Sequence, residues 1–315
     1  MATTGSIFAC AFVILCTLFH AARPELILTV VNNCPFTVYP AIQPNAGHPV
    51  LENGGFPLQT LTHRSFRAPD QLWSGRIWGR TGCTHSNGKF QCATGDCNSR
   101  IECNGLGGAP PATLAQITLH HGQNDFSSYG VSLVDGFNLP MTVTPHEGKG
   151  VCPVVGCRAD LLATCPDELK FRSPAGDVAG CKSGCKAFRT DELCCRNHYN
   201  SPQTCRASSF SEFFKHACPA TFTYAHDSPS LMHECSSPRE LKEDAEARLE
   251  QMKSMDPGMR KGGSKVFQLK VDGVAFRLIP EPSKSRMHSC YMHLRMPGSQ
   301  PVDVCKSVTT RNYKL

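Results

Sequence analysis

The chain has 315 residues, a formal net charge of +6 and 19 cysteines, a length that suits one large domain or two ordinary ones. Such cysteine usage argues against an ordinary cytosolic protein and points to an oxidising compartment. The charge is uneven: residues 243–315 carry 13 Lys/Arg against 8 Asp/Glu, and residues 1–242 carry 19 against 18. The body therefore lacks the electrostatic footprint of a nucleic-acid binder, and no nucleic-acid partner is expected.

Ile7 to Phe19 is an apolar run of signal-peptide length, too short to span a bilayer and followed by the small residues Ala21 and Ala22. Residues 1–22 are read as a secretory signal, although the segment before the apolar run has no Lys or Arg and His20 is a poor residue three before a cut after Ala22. Removing them would leave 17 cysteines, an odd number. No later stretch is apolar enough to cross a membrane, and the C-terminus lacks the tail of a lipid-anchor signal.

From Leu26 to Tyr39, β-branched and aromatic residues form short runs broken by Asn32-Asn33 and Pro35, as strands with a tight connection would. Further short runs at Ser65–Arg67 and Arg76–Trp78 keep that rhythm, which predicts a β-sandwich or barrel rather than alternating β-α units. Cys83 to Cys103 is a small excursion with four cysteines. Thr113 to Leu119 is a strand with Leu114, Gln116 and Thr118 on one face and Thr113, Ala115, Ile117 and Leu119 on the other. Val131–Asp135 and Met141–Val143 add two strands around the loop 136–140.

Cys152 to Cys205 holds eight cysteines and almost no uninterrupted apolar run, so this segment must be stapled. Zinc is the competing reading. The segment has no repeated C-x-x-C pair, and adjacent Cys194 and Cys195 cannot easily turn both sulfurs to one tetrahedral ion, which favours disulfides. Leu161–Leu169, Ala179–Phe188 and Ser208–His216 are the helix candidates, each too short to persist without tertiary support.

From about Leu26 to Lys242 the chain resembles the plant thaumatin-like, pathogenesis-related proteins. The resemblance rests on NNCPFTVYP (32–40), RIWGRTGC (76–83), GKFQCATGDC (88–97), PPATLAQITL (110–119), VSLVDGFNLPM (131–141) and the run from Cys194 through YNSPQTC to Cys205. It implies a mainly β fold: a flattened β-sandwich with a disulfide-rich helical and loop lobe at about 152–218 and a small cysteine-rich lobe at about 83–103. The implied bridges are Cys83–Cys92, Cys97–Cys103, Cys152–Cys235, Cys157–Cys218, Cys165–Cys181, Cys185–Cys194 and Cys195–Cys205; sequence spacing alone cannot choose among the pairings. The resemblance stops after Lys242. Residues 243–315 are read as an atypical tail, poorly ordered or unrelated to the family. Without the family's closing strand a sheet edge would be exposed, and Cys34 would need Cys290 or Cys305 as its partner.

The family's acidic cleft, built from one Arg, one Glu and three Asp, would fall on Arg76, Gln116, Gly130, Asp135 and Asp227. Gln116 cannot exchange a proton and Gly130 offers no group, so two carboxylates remain. Asp125 lies near in sequence, and Phe126, Tyr129 and Phe137 could stack on sugar faces. Glycosidases need two carboxylates in distinct protonation states; Asp135 and Asp227 are the only catalytic candidates. The resemblance implies a secreted, apoplastic defence protein, monomeric and without cofactor. It would bind cell-wall polysaccharide such as β-1,3-glucan, with a weak β-1,3-glucanase or an inhibitor of a fungal hydrolase as alternatives and fungal surface proteins as further partners. The alternative reading of the residues themselves is that Asp135 and Asp227 hold turns and Arg76 an ion pair in the sheet. His120-His121 invites a metal reading, but no further ligand has a compatible spacing.

Overall fold

The computed structural model describes residues 26–86, 88–123, 125–145, 148–150, 152–236, 267–271, 274–278 and 292–296. Residues 1–25, which hold the expected signal, and most of the tail lie outside the described residues. The chain divides into two units, one comprising 239–288 and the other the remainder. In the first of these, β15 (Phe267–Val271) and β16 (Val274–Leu278) pair antiparallel.

The larger unit is built on two sheets. One contains β1 (Ile27–Asn32), β3 (Thr62–Arg67), β9 (Met141–Pro145), β10 (Val155–Cys157) and β17 (Met292–Met296), in the order β10-β9-β17-β1-β3. The other contains β2 (Tyr39–Pro44), β4 (Trp73–Arg80), β7 (Leu114–His121), β8 (Phe126–Ser132) and β13 (Thr221–Phe222), in the order β13-β8-β7-β4-β2. β14 (His233–Ser236) also pairs with β8. The sheets share one core, to which Leu28, Val30, Met141 and Val143 contribute from one side and Ile42, Ile77, Ile117 and Leu119 from the other. The alternation read in Thr113–Leu119 is found: Ala115, Ile117 and Leu119 are buried, Gln116 and Thr118 half-buried. Leu114 is also buried, because the small lobe covers it together with Ala41 and Trp78.

Short polar anchors hold the connections. Asn32, at the end of β1, donates to the carbonyls of Phe36, Leu58 and Gln59, and its Oδ1 accepts from the Cys34 N–H. This satisfies the backbone of the Asn-Asn-Cys-Pro turn. Asn138 donates from Nδ2 to the Gly79 carbonyl and Thr94 Oγ1, both at 2.8 Å, and accepts from the Thr113 N–H. Gly136 has a φ of +96° and a Cβ there would meet the Cys181 carbonyl at 2.5 Å, so only glycine fits this turn.

The small lobe, with the hairpin β5 (Thr84–Ser86) and β6 (Lys89–Gln91), is anchored by Arg80. Its buried guanidinium donates to the carbonyls of Tyr39, Pro40, Arg100 and Ile101. It also lies 5.5 Å from the Phe90 ring centroid. Burial pulls the Arg80 pKa down to about 10, with Asp96 and then Tyr39 acting in the opposite direction.

In the large lobe, β11 (Lys170–Arg172) and β12 (Val178–Cys181) form a hairpin. Three short helices follow: α1 (Gly184–Phe188), α2 (Asp191–Cys194) and α3 (Ser209–Ala217). The helix expected at Ser208–His216 is α3, started by a reciprocal Ser208/Ser211 cap. Leu161–Leu169 is instead turns ending in a single 3-10 turn, Asp167–Leu169, because Pro166 interrupts any helix. The first part of Ala179–Phe188 is strand β12, and only Gly184 onward is helical. The lobe is not held by staples alone. Leu133, Phe137, Leu161, Leu169 and Phe214 form a second core with the sulfurs of Cys157, Cys165, Cys181 and Cys218, so the cystines are themselves part of the apolar packing. All seven bridges implied by the resemblance are present. Cys34 is disulfide-bonded as well, and Cys290 and Cys305 both lie outside the described residues.

One expectation is overturned. The edge thought to be left exposed is occupied by β17, which runs antiparallel to β1 and parallel to β9. Met292 is fully buried in the shared core and its N–H donates to the Pro140 carbonyl at 2.8 Å.

Candidate functional site

Antiparallel pairing puts directly opposed residues on the same face of a sheet. Gln43 on β2 opposes Arg76 on β4, Arg76 opposes Gln116 on β7, and Gln116 opposes Gly130 on β8. These four form a straight row about 14 Å long, three strand spacings, across the sheet face opposite the shared core. Gln43, Arg76 and Gln116 are half-buried. Among the described residues, the side chains of these three make no hydrogen bond or ion pair with the protein. The next row along the strands is polar and ends on β14 at the exposed Glu234, which opposes Ser128. Ser74 and Thr118 share a hydrogen bond of 3.0 Å, Asn45 donates to Ser74 at 2.7 Å, and Ser128 bonds His121. One free guanidinium, two free amides and several hydroxyls therefore line this face.

At the Gly130 end the row stops against Phe222 and the Leu231 backbone. A Cβ on Gly130 would meet Phe222 Cε2 at 3.0 Å and the Leu231 carbonyl oxygen at 3.1 Å. The missing side chain is thus matched by a close approach of the chain that follows β13.

The two remaining acidic residues stand beyond the C-terminal ends of the parallel strands β8 and β13. Asp135 forms an ion pair with Lys186 of α1 at 3.0 Å. Asp227 is almost fully enclosed and engaged on both oxygens. Oδ2 pairs with Lys215 of α3 at 2.7 Å and accepts from the Thr223 N–H and Oγ1, while Oδ1 accepts from the Ser228 N–H. Burial pushes the Asp227 carboxyl up, but the Lys215 hydrogen bond and the N–H groups of Thr223 and Ser228 outweigh it. They hold the group below the usual carboxylate range. Asp227 is an ionised turn-former.

The aromatic candidates part from the row. Tyr129 is fully buried in the shared core and donates its hydroxyl to the Pro153 carbonyl at 2.8 Å, and burial raises its pKa. The expectation that it stacks on a sugar fails because its side chain faces the other sheet. Phe137, likewise fully buried, belongs to the core of the large lobe. Phe126 sits at the opposite end of β8 from Asp135, about 20 Å of strand away, with its ring 6.1 Å from that of His121. Asp125 is bonded to His120 Nδ1 at 2.6 Å, which accounts for that residue without a ligand. No cluster of three or more His, Cys, Asp or Glu side chains that could hold a metal ion occurs among the described residues.

Sequence reasoning missed Gln43, Lys186 and Lys215. Gln43 was findable, being the polar residue after Ala41-Ile42 in a strand. The two lysines carry no local signal, because helices of the other lobe bring them to the acids.

The fold and these groups define a disulfide-stapled β-sandwich with a polar outer row. The family model described as Thaumatin family matches residues 32–242, and the chain belongs to the thaumatin family. It is 74% identical over 230 residues to an osmotin-like protein of Solanum lycopersicum, covering 72% of this chain and 91% of the relative. A thaumatin-like protein of Arabidopsis thaliana is 46% identical over 233 residues, 73% of this chain and 93% of its own. A glucan endo-1,3-beta-glucosidase of Prunus avium is 44% identical over 211 residues, 66% of this chain and 83% of its own. A second family model, described as Tic22-like family, matches residues 239–292, a range that starts after β14 and reaches the first residue of β17.

Proposed function

We propose that this is a secreted plant defence protein with antifungal action, which binds cell-wall polysaccharide such as β-1,3-glucan without hydrolysing it. The observation that carries the reading is the row Gln43–Arg76–Gln116, whose free amides and guanidinium suit a polyhydroxylated chain. Amides both donate to and accept from sugar hydroxyls, and Arg donates to ring and linkage oxygens. Hydrolysis requires one carboxyl held protonated and a second to act as base or nucleophile. Asp227 is held ionised and Asp135 is paired to Lys186, which supports binding without hydrolysis.

Affinity electrophoresis in laminarin tests this. Wild type should be retarded, and Arg76→Ala should lose at least tenfold in affinity. Absence of retardation would remove the reading. The relative named a glucan endo-1,3-beta-glucosidase keeps hydrolysis as a second reading, and reducing-sugar release that disappears in Asp135→Asn would promote it.

A further inference from the structure

A concave site that shares no residue with the sheet row is lined mostly by the large lobe. A cavity of about 480 Å³ is lined by Pro110, Phe171, Lys182, Lys186, Arg189 and Arg196, with the Cys185–Cys194 bridge in its wall. Its volume lies in the range of small-ligand sites. Four cations face it, and two carboxylates answer them: Asp135 at 3.0 Å from Lys186 and Asp191 at 3.8 Å from Arg196. Among the described residues, Lys182 and Arg189 have no carboxylate partner. Like charges gathered without counter-charges repel one another, and a bound anion relieves that repulsion.

The site is also shaped in advance. Arg189 caps α1 in the left-handed region with φ 59°. Its carbonyl accepts from Arg196 Nη2 at 3.1 Å, so the two basic residues are tied together. The bridge from Cys185 to Cys194 links α1 to α2 beneath them, and preorganisation of this kind lowers the cost of binding. Phe171 provides an apolar surface with Lys182 Nζ 5.7 Å from its ring centroid. Cations beside an aromatic and a proline suit a ring with an apolar face and an acidic substituent.

We propose that this pocket binds an acidic sugar unit, carrying a carboxylate or a phosphate, as a site separate from the polyhydroxyl-binding row. The test is calorimetric titration of the full secreted protein at low salt with trigalacturonate, mannose 6-phosphate, inorganic phosphate and neutral galactotriose. Binding of trigalacturonate alone identifies the carboxylate source, binding of mannose 6-phosphate alone the phosphate source, and binding of both an acidic sugar in general. Affinity should fall with added salt and drop at least tenfold in Lys182→Gln/Arg189→Gln, two side chains with no ion pair to lose. Arg76→Ala should leave it unchanged, so failure here and failure of glucan binding are told apart. Amide shifts on the wild type, measured by NMR, should centre on residues 182–196, which locates the ligand without any variant. The proposal falls if neither acidic sugar binds, if inorganic phosphate or galactotriose binds as tightly, or if the shifts centre elsewhere.

Discussion

Asp227 and Lys215 are joined at 2.7 Å, an ion pair that ties helix α3 to the loop following β13. It accounts for one of the two acidic residues in terms of structure rather than catalysis. The same carboxylate closes the 223–228 turn through Thr223 and Ser228, so one side chain fixes both the loop and the helix that packs Phe214 into the large-lobe core.

Asp227→Asn should therefore destabilise the protein by about 1–3 kcal/mol, the cost of stranding a partly buried charge and its donors. The sign of the pH effect follows from the lowered carboxyl pKa. The contribution is fully present above the unfolded value of about 3.9 and is lost as pH falls through the lower folded value. Melting temperatures measured from pH 6 downward should show wild type losing stability below about pH 4. Asp227→Asn should lack that part of the loss; an identical acid profile in the two proteins would contradict the assignment.

Arg80 makes a contrasting case, a buried cation without a salt bridge to a carboxylate among the described residues. It is held by four backbone carbonyls, two from β2 and two from the small lobe. Arg80→Met should leave those acceptors unpaired and destabilise by about 3 kcal/mol or more. Hydrogen exchange should quicken first in residues 97–103, where the lobe meets the sheet. Exchange that quickens uniformly over both sheets would argue against an anchoring role.

Arg76 should separate binding from stability. Its guanidinium is unpaired among the described residues, so Arg76→Ala should change the folding free energy by no more than about 0.5 kcal/mol while lowering affinity for laminarin at least tenfold. A large drop in melting temperature would instead place Arg76 in the ion pair weighed against it on sequence grounds.

The β-sandwich and the period-2 alternation of β7 were legible because each depends on local pattern or on motifs that the resemblance carries. The bridges were legible only through the resemblance, since spacing leaves the pairings open. What escaped was set by tertiary contacts. Tyr129 sits in Phe-Ser-Ser-Tyr-Gly-Val-Ser, and nearly all of β8 is buried. The segment following β13 covers its outer side, so alternation does not reveal which face meets solvent. Lys215 and Lys186 reach their acids from helices of another lobe. β17 is five residues, Met-His-Leu-Arg-Met, inside a charged tail, too short a run to stand out from it.

That strand gives the last prediction. The ladder of β1 and β17 pairs Asn32 with Met292 and Thr29 with Arg295, and Met292 is buried among residues of both sheets. Met292→Ala should cost about 2–5 kcal/mol, the range for truncating a core methionine, and a surface tail residue would cost almost nothing. Cys290 stands two residues before Met292 in the chain, as Cys34 stands two after Asn32. In an antiparallel ladder those steps run in the same direction, so Cys34 should be recovered cross-linked to Cys290 rather than Cys305 in a non-reduced peptide map. A native stability for Met292→Ala together with a Cys34–Cys305 peptide would mean that another part of the tail closes the sheet.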